Sequence, residues 1–146
     1  YPVHLSPAVQ EAAKDILAGH DRIHLIKPLD VFDFHNLASR SYFIMTDSGG
    51  VQEEAPSLGK PVLVLRDTTE RPEGVRAGTL KLVGTNPACV KEAMAVLLTD
   101  ETLYRKMSQA PNPYGDGRAS ERIVRAIQHY FGMAESVSEF KEGEEA

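Results

Sequence analysis

A chain of 146 residues with 42% hydrophobic and 25% charged residues is the size and make-up of one soluble globular domain with a real core. The formal net charge of −5 and the lack of a basic stripe argue against a nucleic-acid partner. Cys89 is the only cysteine, which excludes an internal disulfide and fits a cytoplasmic setting; no apolar run reaches the ~20 residues of a membrane helix. No leader pattern opens the chain, and its apolar start at Tyr1 reads as a cut inside a longer protein.

Taken in order, Tyr1 to Val3 reads as the end of a strand. Ser6 as N-cap and Pro7 at the first helical position start a helix with Val9, Ala13, Ile16 and Leu17 on one face, stopped by Gly19. Ile23 to Ile26 is a short apolar strand. Asp30 caps a second helix with Phe34, Leu37 and Ala38 at helical spacing. The unbroken apolar run Tyr42 to Met45 predicts a buried strand, followed by a Gly-Gly turn and a helix to about Leu58 that Pro56 shortens or kinks.

Val62 to Leu65 is a strand, Thr68 to Pro72 a polar loop, Pro72 to Ala77 one or two helical turns, and Leu80 to Val83 another strand. Asn86-Pro87 opens a helix with Val90, Met94, Leu97 and Leu98 on a stripe; Leu103 and Met107 mark a shorter one. After a turn-rich stretch from Pro111 to Gly117, Ile123, Ile127, Tyr130 and Phe131 mark a final amphipathic helix. From Met133 onward glutamates dominate, so the expected division is a domain over 1–132 and an acidic, disordered tail over 133–146.

Alternating strands and helices predict a Rossmann-like parallel sheet with helices on both faces, with ligands at the carboxyl ends of its strands. That rule selects the loops after Met45, Leu65 and Val83. In the first, Ser48, Gly49 and Gly50 follow a strand and open a helix: the glycines let backbone N–H groups approach a phosphate, and the Ser48 hydroxyl can donate to it. The plainer reading is a tight turn with a Ser or Asp cap. The pattern is neither a Walker loop nor a full GxGxxG.

Glu54 lies four residues after Gly50, one helical turn (~5.4 Å) along the same face, where a carboxylate can accept from both hydroxyls of a ribose. Glu53 is explained equally well as an acidic first turn. In the second loop Arg71 either neutralises a diphosphate or holds the loop by pairing with Glu70 or Glu73. Phe34 suits the core or the wall of a base pocket; His4 stands at the carboxyl end of the first strand, yet a His before Ser-Pro also suits a structural role. His20, His24, His35 and His129 show no metal-ligand spacing, and no metal is expected.

Thr46-Asp47-Ser48-Gly49-Gly50-Val51-Gln52-Glu53-Glu54-Ala55-Pro56-Ser57-Leu58-Gly59-Lys60-Pro61 resembles the signature of the non-hydrolysing UDP-N-acetylglucosamine 2-epimerases. Arg66 to Glu73, Pro2 to Leu5, Leu82 to Thr85 and Asn112 to Gly117 resemble further segments of that family in the same order. The resemblance implies the C-terminal half of an isomerase of polysaccharide biosynthesis: the UDP-binding second domain of a glycosyltransferase-B-like fold, incomplete at its start. The implied reaction inverts C2 of UDP-N-acetylglucosamine by eliminating UDP to a 2-acetamidoglucal and re-adding it, giving UDP-N-acetylmannosamine without a cofactor.

By the same resemblance Ser48, Gly49 and Gly50 hold phosphate, Glu54 the ribose, Phe34 the neighbourhood of the base, and Arg71 the phosphate side of the cleft. His4 matches a position near substrate or a regulatory nucleotide. The catalytic carboxylates are expected in a missing N-terminal domain, so none is assigned here and the chain alone is expected to be inactive. The implied partners are the UDP-sugar, that missing domain and a second copy in a homodimer, with no membrane. Gly74 departs from the family pattern, where a side chain is expected, and is expected to loosen its loop. The competing readings are the donor-nucleotide domain of a glycosyltransferase and a non-catalytic nucleotide-sensing module.

Overall fold

The structure, a computed structural model, describes residues 1–136 and 138–140. The tail expected over 133–146 therefore falls in part, at Val137 and 141–146, outside the described residues. The chain divides into two compact units, Tyr1–Leu37 and Ala38–Ala146.

In the first unit, α1 runs Pro7–Leu17, with Ser6 at the N-cap and Pro7 opening it, and Gly19 follows its end at φ 84°. Ser6 makes no side-chain cap bond, and Ala13 is the residue of the expected stripe that is buried; Ile16 is exposed. The two expected strands do not form. Pro2 and Ile26 make an isolated parallel bridge, with Val3 N donating to Ile26 O at 2.9 Å and Ile26 N to Tyr1 O at 3.0 Å. A lone pair of short strands is marginal in water, which accounts for the shortfall. α2, Val31–Arg40, starts in this unit, where Asp30 Oδ1 accepts from Asp33 N at 2.9 Å, and its last residues belong to the second.

The second unit is an α/β layer built on a parallel sheet ordered β1 (Ile44–Thr46), β2 (Val62–Val64), β3 (Leu80–Leu82). Ile44 is in register with Val62, and Val62 with Leu80. Ladder bonds run one residue beyond these limits, from Leu65 N to Thr46 O and from Val83 N to Val64 O. β2 is the middle strand and is wholly buried, whereas β1 is an edge strand and only partly buried, a correction to the buried strand expected at Tyr42 to Met45.

The pleat of β2 divides the core. Val62 and Val64 pack with Ala55 and Leu80 on one face, joined by Val51 and Tyr114. Leu63 packs on the other with Ala93 and Leu97 of α5 (Pro87–Thr99) and Met107 of α6 (Glu101–Ser108). This is the expected fold class, with helices on both faces of a parallel sheet. On α5 the buried positions are Ala93 and Leu97, while Leu98 is exposed, so the inward stripe is rotated from the expected one.

After β1, α3 (Gly49–Glu54) passes into a 3-10 helix at Ala55–Leu58, the shortening that Pro56 predicts. Gly59, at φ 64°, ends it by donating to Pro56 O at 3.0 Å, a left-handed cap that suits glycine. α4 spans Pro72–Ala77. The last helix, α7, spans Ala119–Tyr130 and leaves Ile123, Val124, Ile127 and Tyr130 exposed. Among the described residues no helix is long and apolar enough to cross a membrane.

Candidate functional site

Ser48 ends the turn after β1 in extended conformation, at φ −78° and ψ 130°. Its N–H donates to Thr46 Oγ1 at 3.0 Å, and its hydroxyl makes no cap bond to α3. The residue stands at the N-cap but its side chain does not serve as one. Ser48 and Gly50 are exposed.

Two measurements at the glycines show what surrounds the turn. A Cβ on Gly50 would lie 3.9 Å from both Ser48 Oγ and Glu54 Oε1, so these two side chains both stand close to the Gly50 backbone. A Cβ on Gly49 would lie 3.1 Å from Glu70 Oε1 and 3.8 Å from Arg71 Nη2. The loop after β2 thus reaches over the turn after β1. The third loop adjoins the second: Gly84 N donates to Arg66 O at 3.2 Å, and Asp67 Oδ1 lies 2.8 Å from a Cβ position on Gly84. The three strand ends selected by the alternation of elements come together along one edge.

Arg71 is ion-paired through Nε to Glu53 Oε1, not to Glu70 or Glu73. Glu53 is outside the first turn of α3, so its role is this pairing and not a favourable helix start. Arg71 Nη1 donates to Glu70 O at 3.3 Å, while the Glu70 carboxylate pairs with Arg66 at 2.8 Å. The Glu70 carboxyl is held below its ordinary range by its own backbone hydrogen bond first and then by Arg66. Glu73 pairs with Arg76 at 3.4 Å.

Behind this surface lie groups that the sequence reading did not single out. Gln52 is fully buried; its Nε2 donates to Ser48 O at 3.2 Å and its Oε1 accepts from Thr69 Oγ1 at 2.6 Å. Thr69 Oγ1 in turn accepts from Arg71 N at 3.0 Å. Tyr114 Oη accepts from Gly74 N at 3.1 Å and donates to Arg71 O at 3.4 Å. Burial pushes the Tyr114 hydroxyl above its ordinary value. A signal for Gln52 existed: a polar residue four after Ser48 faces back along the helix onto the turn.

The expectation that Gly74 loosens its loop is corrected. Gly74 is buried, and a Cβ there would stand 2.4 Å from Tyr114 Oη and 2.5 Å from Leu80 Cδ1. Thr79 Oγ1 and the Thr79 and Gly78 N–H groups all donate to Gly74 O. The position is tight, and glycine is what lets α4 pack against β3.

Phe34 and His4 belong to the first unit. Phe34 is partly buried, its ring tilted at 54° to His35 with centroids 5.9 Å apart. His4 is exposed, and its Nδ1 accepts from Ser6 N at 3.1 Å, a local bond of the structural kind. Among the described residues no group of three or more His, Cys, Asp or Glu side chains is arranged to hold a metal ion.

The profile of the UDP-N-acetylglucosamine 2-epimerase family matches residues 1–128. The chain belongs to that family. It is 65% identical over 132 residues to the UDP-N-acetylglucosamine 2-epimerase of Bacillus subtilis strain 168, covering 90% of this chain and 35% of that protein. Against the Escherichia coli K12 enzyme of the same name the identity is 54%, covering 88% of this chain and 34% of that one. The chain thus spans about a third of the length of the relatives it matches.

Solved structures agree. A Staphylococcus aureus MnaA co-structure with UDP superposes with a TM-score of 0.90 at 62% identity, covering 97% of this chain and 39% of that one. A Neisseria meningitidis UDP-N-acetylglucosamine 2-epimerase bound to UDP-N-acetylglucosamine gives 0.83 at 50% identity, covering 88% and 34%.

Proposed function

We propose that this chain is the UDP-binding part of a UDP-N-acetylglucosamine 2-epimerase, working within a longer protein that interconverts UDP-N-acetylglucosamine and UDP-N-acetylmannosamine. The observation that carries the reading is the placement of the Ser48 hydroxyl and the Glu54 carboxylate at equal distance about Gly50, with the Arg71 guanidinium beside Gly49. The Ser48 hydroxyl, the exposed Gly50 backbone and the Arg71 guanidinium suit a diphosphate; a carboxylate one turn away suits the vicinal hydroxyls of ribose.

In this reading Ser48, Gly49, Gly50 and Arg71 hold the diphosphate and Glu54 the ribose, while the assignment of Phe34 to the base rests on the family resemblance. His4 is assigned to the neighbourhood of substrate or of a second nucleotide. When the C1–O bond breaks and the C2 proton leaves, UDP departs with added negative charge, which Arg71 and the Ser48 hydroxyl stabilise. UDP then re-adds to the 2-acetamidoglucal while a proton returns to the opposite face of C2. The electron count does not change, so no redox cofactor enters. No residue of this chain is assigned to the C2 proton; that work belongs to the rest of the protein. The same reading makes the enzyme a cytoplasmic homodimer.

Calorimetric titration of the chain with UDP tests the binding claim, and saturable one-to-one binding is expected. The full-length protein incubated with UDP-N-acetylglucosamine is expected to release UDP and the glucal and to form UDP-N-acetylmannosamine. Absence of UDP binding, or sugar transfer to an acceptor in place of epimerisation, overturns the proposal.

A further inference from the structure

Two loops that carry ligand groups in the proposed site are joined beneath it by one buried side chain. Gln52 is fully buried, with Nε2 on Ser48 O at 3.2 Å and Oε1 on Thr69 Oγ1 at 2.6 Å. The orientation of its amide has one self-consistent solution. Ser48 O is only an acceptor, so the NH2 end must face it and the oxygen must face Thr69. The Thr69 hydroxyl must then donate to Gln52, which leaves its lone pairs for Arg71 N at 3.0 Å. Each member fixes the next, from the carbonyl of the Ser-Gly-Gly turn to the backbone of Arg71.

Other residues fit this chain of bonds poorly. Glutamate at 52 would set a buried carboxylate against the Ser48 carbonyl oxygen, and asparagine is one methylene too short to span the gap. Valine at 69 has the shape of threonine but neither donates nor accepts. Buried polar chains of this kind specify one arrangement because an unmade bond leaves a desolvated group without a partner.

We infer that Gln52 and Thr69 are positioning residues, a clamp that sets the backbone of Arg71 in register with the Ser48-Gly49-Gly50 turn so that guanidinium and turn meet one diphosphate. The ligand part of this inference rests on the UDP-binding reading above. The Arg71 side chain has its own tether at Glu53, so the clamp acts on where the residue starts and Glu53 on where its side chain points.

The test pairs Thr69→Val with Thr69→Ser in the full chain. Amide hydrogen exchange at Arg71 reads the clamp without any ligand, and calorimetry with UDP and with uridine reads its consequence. Loss of the acceptor at 69 is expected to speed Arg71 amide exchange and to weaken UDP about tenfold, with uridine changed less than about twofold. Thr69→Ser, which keeps the hydroxyl, is expected to restore both readouts. If Thr69→Val does not fold, Gln52→Met, which keeps most of the buried volume, is expected to give the same pattern. Arg71 exchange unaltered in a folded variant, or equal losses for UDP and uridine, overturns the inference. Failure of the unaltered chain to bind UDP counts against the nucleotide reading, while exchange at Arg71 still decides the clamp.

Discussion

Arg122 of α7 grips Asp116 with two parallel hydrogen bonds, Nη1 to Oδ1 and Nη2 to Oδ2, both 2.7 Å long. Asp116 Oδ1 also accepts from Arg118 N at 3.0 Å, so one carboxylate ties the turn before α7 to its N-cap and first turn. The Arg122 bonds, and then the Arg118 N–H, hold the Asp116 carboxyl well below its ordinary value of 3.8. A carboxylate lowered in the folded state adds stability above its unfolded value and gives it up as pH falls through its folded one. We expect Asp116→Asn to lower the melting temperature at neutral pH, and the gap from the unaltered chain to shrink as pH drops below 3.8. Melts recorded across that range check it; a gap independent of pH would show that charge is not what binds Asp116 to Arg122.

Gly74→Ala puts a methyl group 2.4 Å from Tyr114 Oη and 2.5 Å from Leu80 Cδ1. Overpacking at such a site costs about 1–3 kcal/mol. Urea unfolding of the alanine variant measures the cost, and stability equal to the unaltered chain would mean that β3 and Tyr114 yield freely.

Glu54→Gln is expected to weaken UDP by about 1–3 kcal/mol, the usual loss when a charged acceptor goes. The placement of Glu54 Oε1 near Gly50 motivates the expectation. Comparing UDP with 2′,3′-dideoxy-UDP by calorimetry decides it. If the variant discriminates between them as strongly as the unaltered chain, another group holds the ribose.

Ser48→Ala and Arg71→Ala are expected to reduce affinity for UDP more than for uridine, because both groups face the place assigned to the diphosphate. The arginine change removes a full charge and should have the larger effect and the steeper loss of salt dependence. Equal losses with the two ligands would put these side chains elsewhere.

Much of this arrangement is carried by local sequence. Pro7, Pro72 and Pro87 mark the starts of α1, α4 and α5, because proline suits the first helical turn. The apolar run at 62–65 fixes the central strand. The alternation of elements already puts the three loops on one edge of the sheet. Tertiary structure decided what crosses long stretches of chain: Arg71 to Glu53, Thr69 to Gln52, and Tyr114 to Gly74. It also turned Gly74 from a weak point into a packing requirement, and reduced two expected strands at Tyr1 to Val3 and Ile23 to Ile26 to one bridge. Periodicity and capping report on neighbours within a few residues, which suffices to form a helix or a strand. Which guanidinium meets which carboxylate, and where a Cβ has no room, depends on how separate elements are packed, and no local pattern encodes that distance.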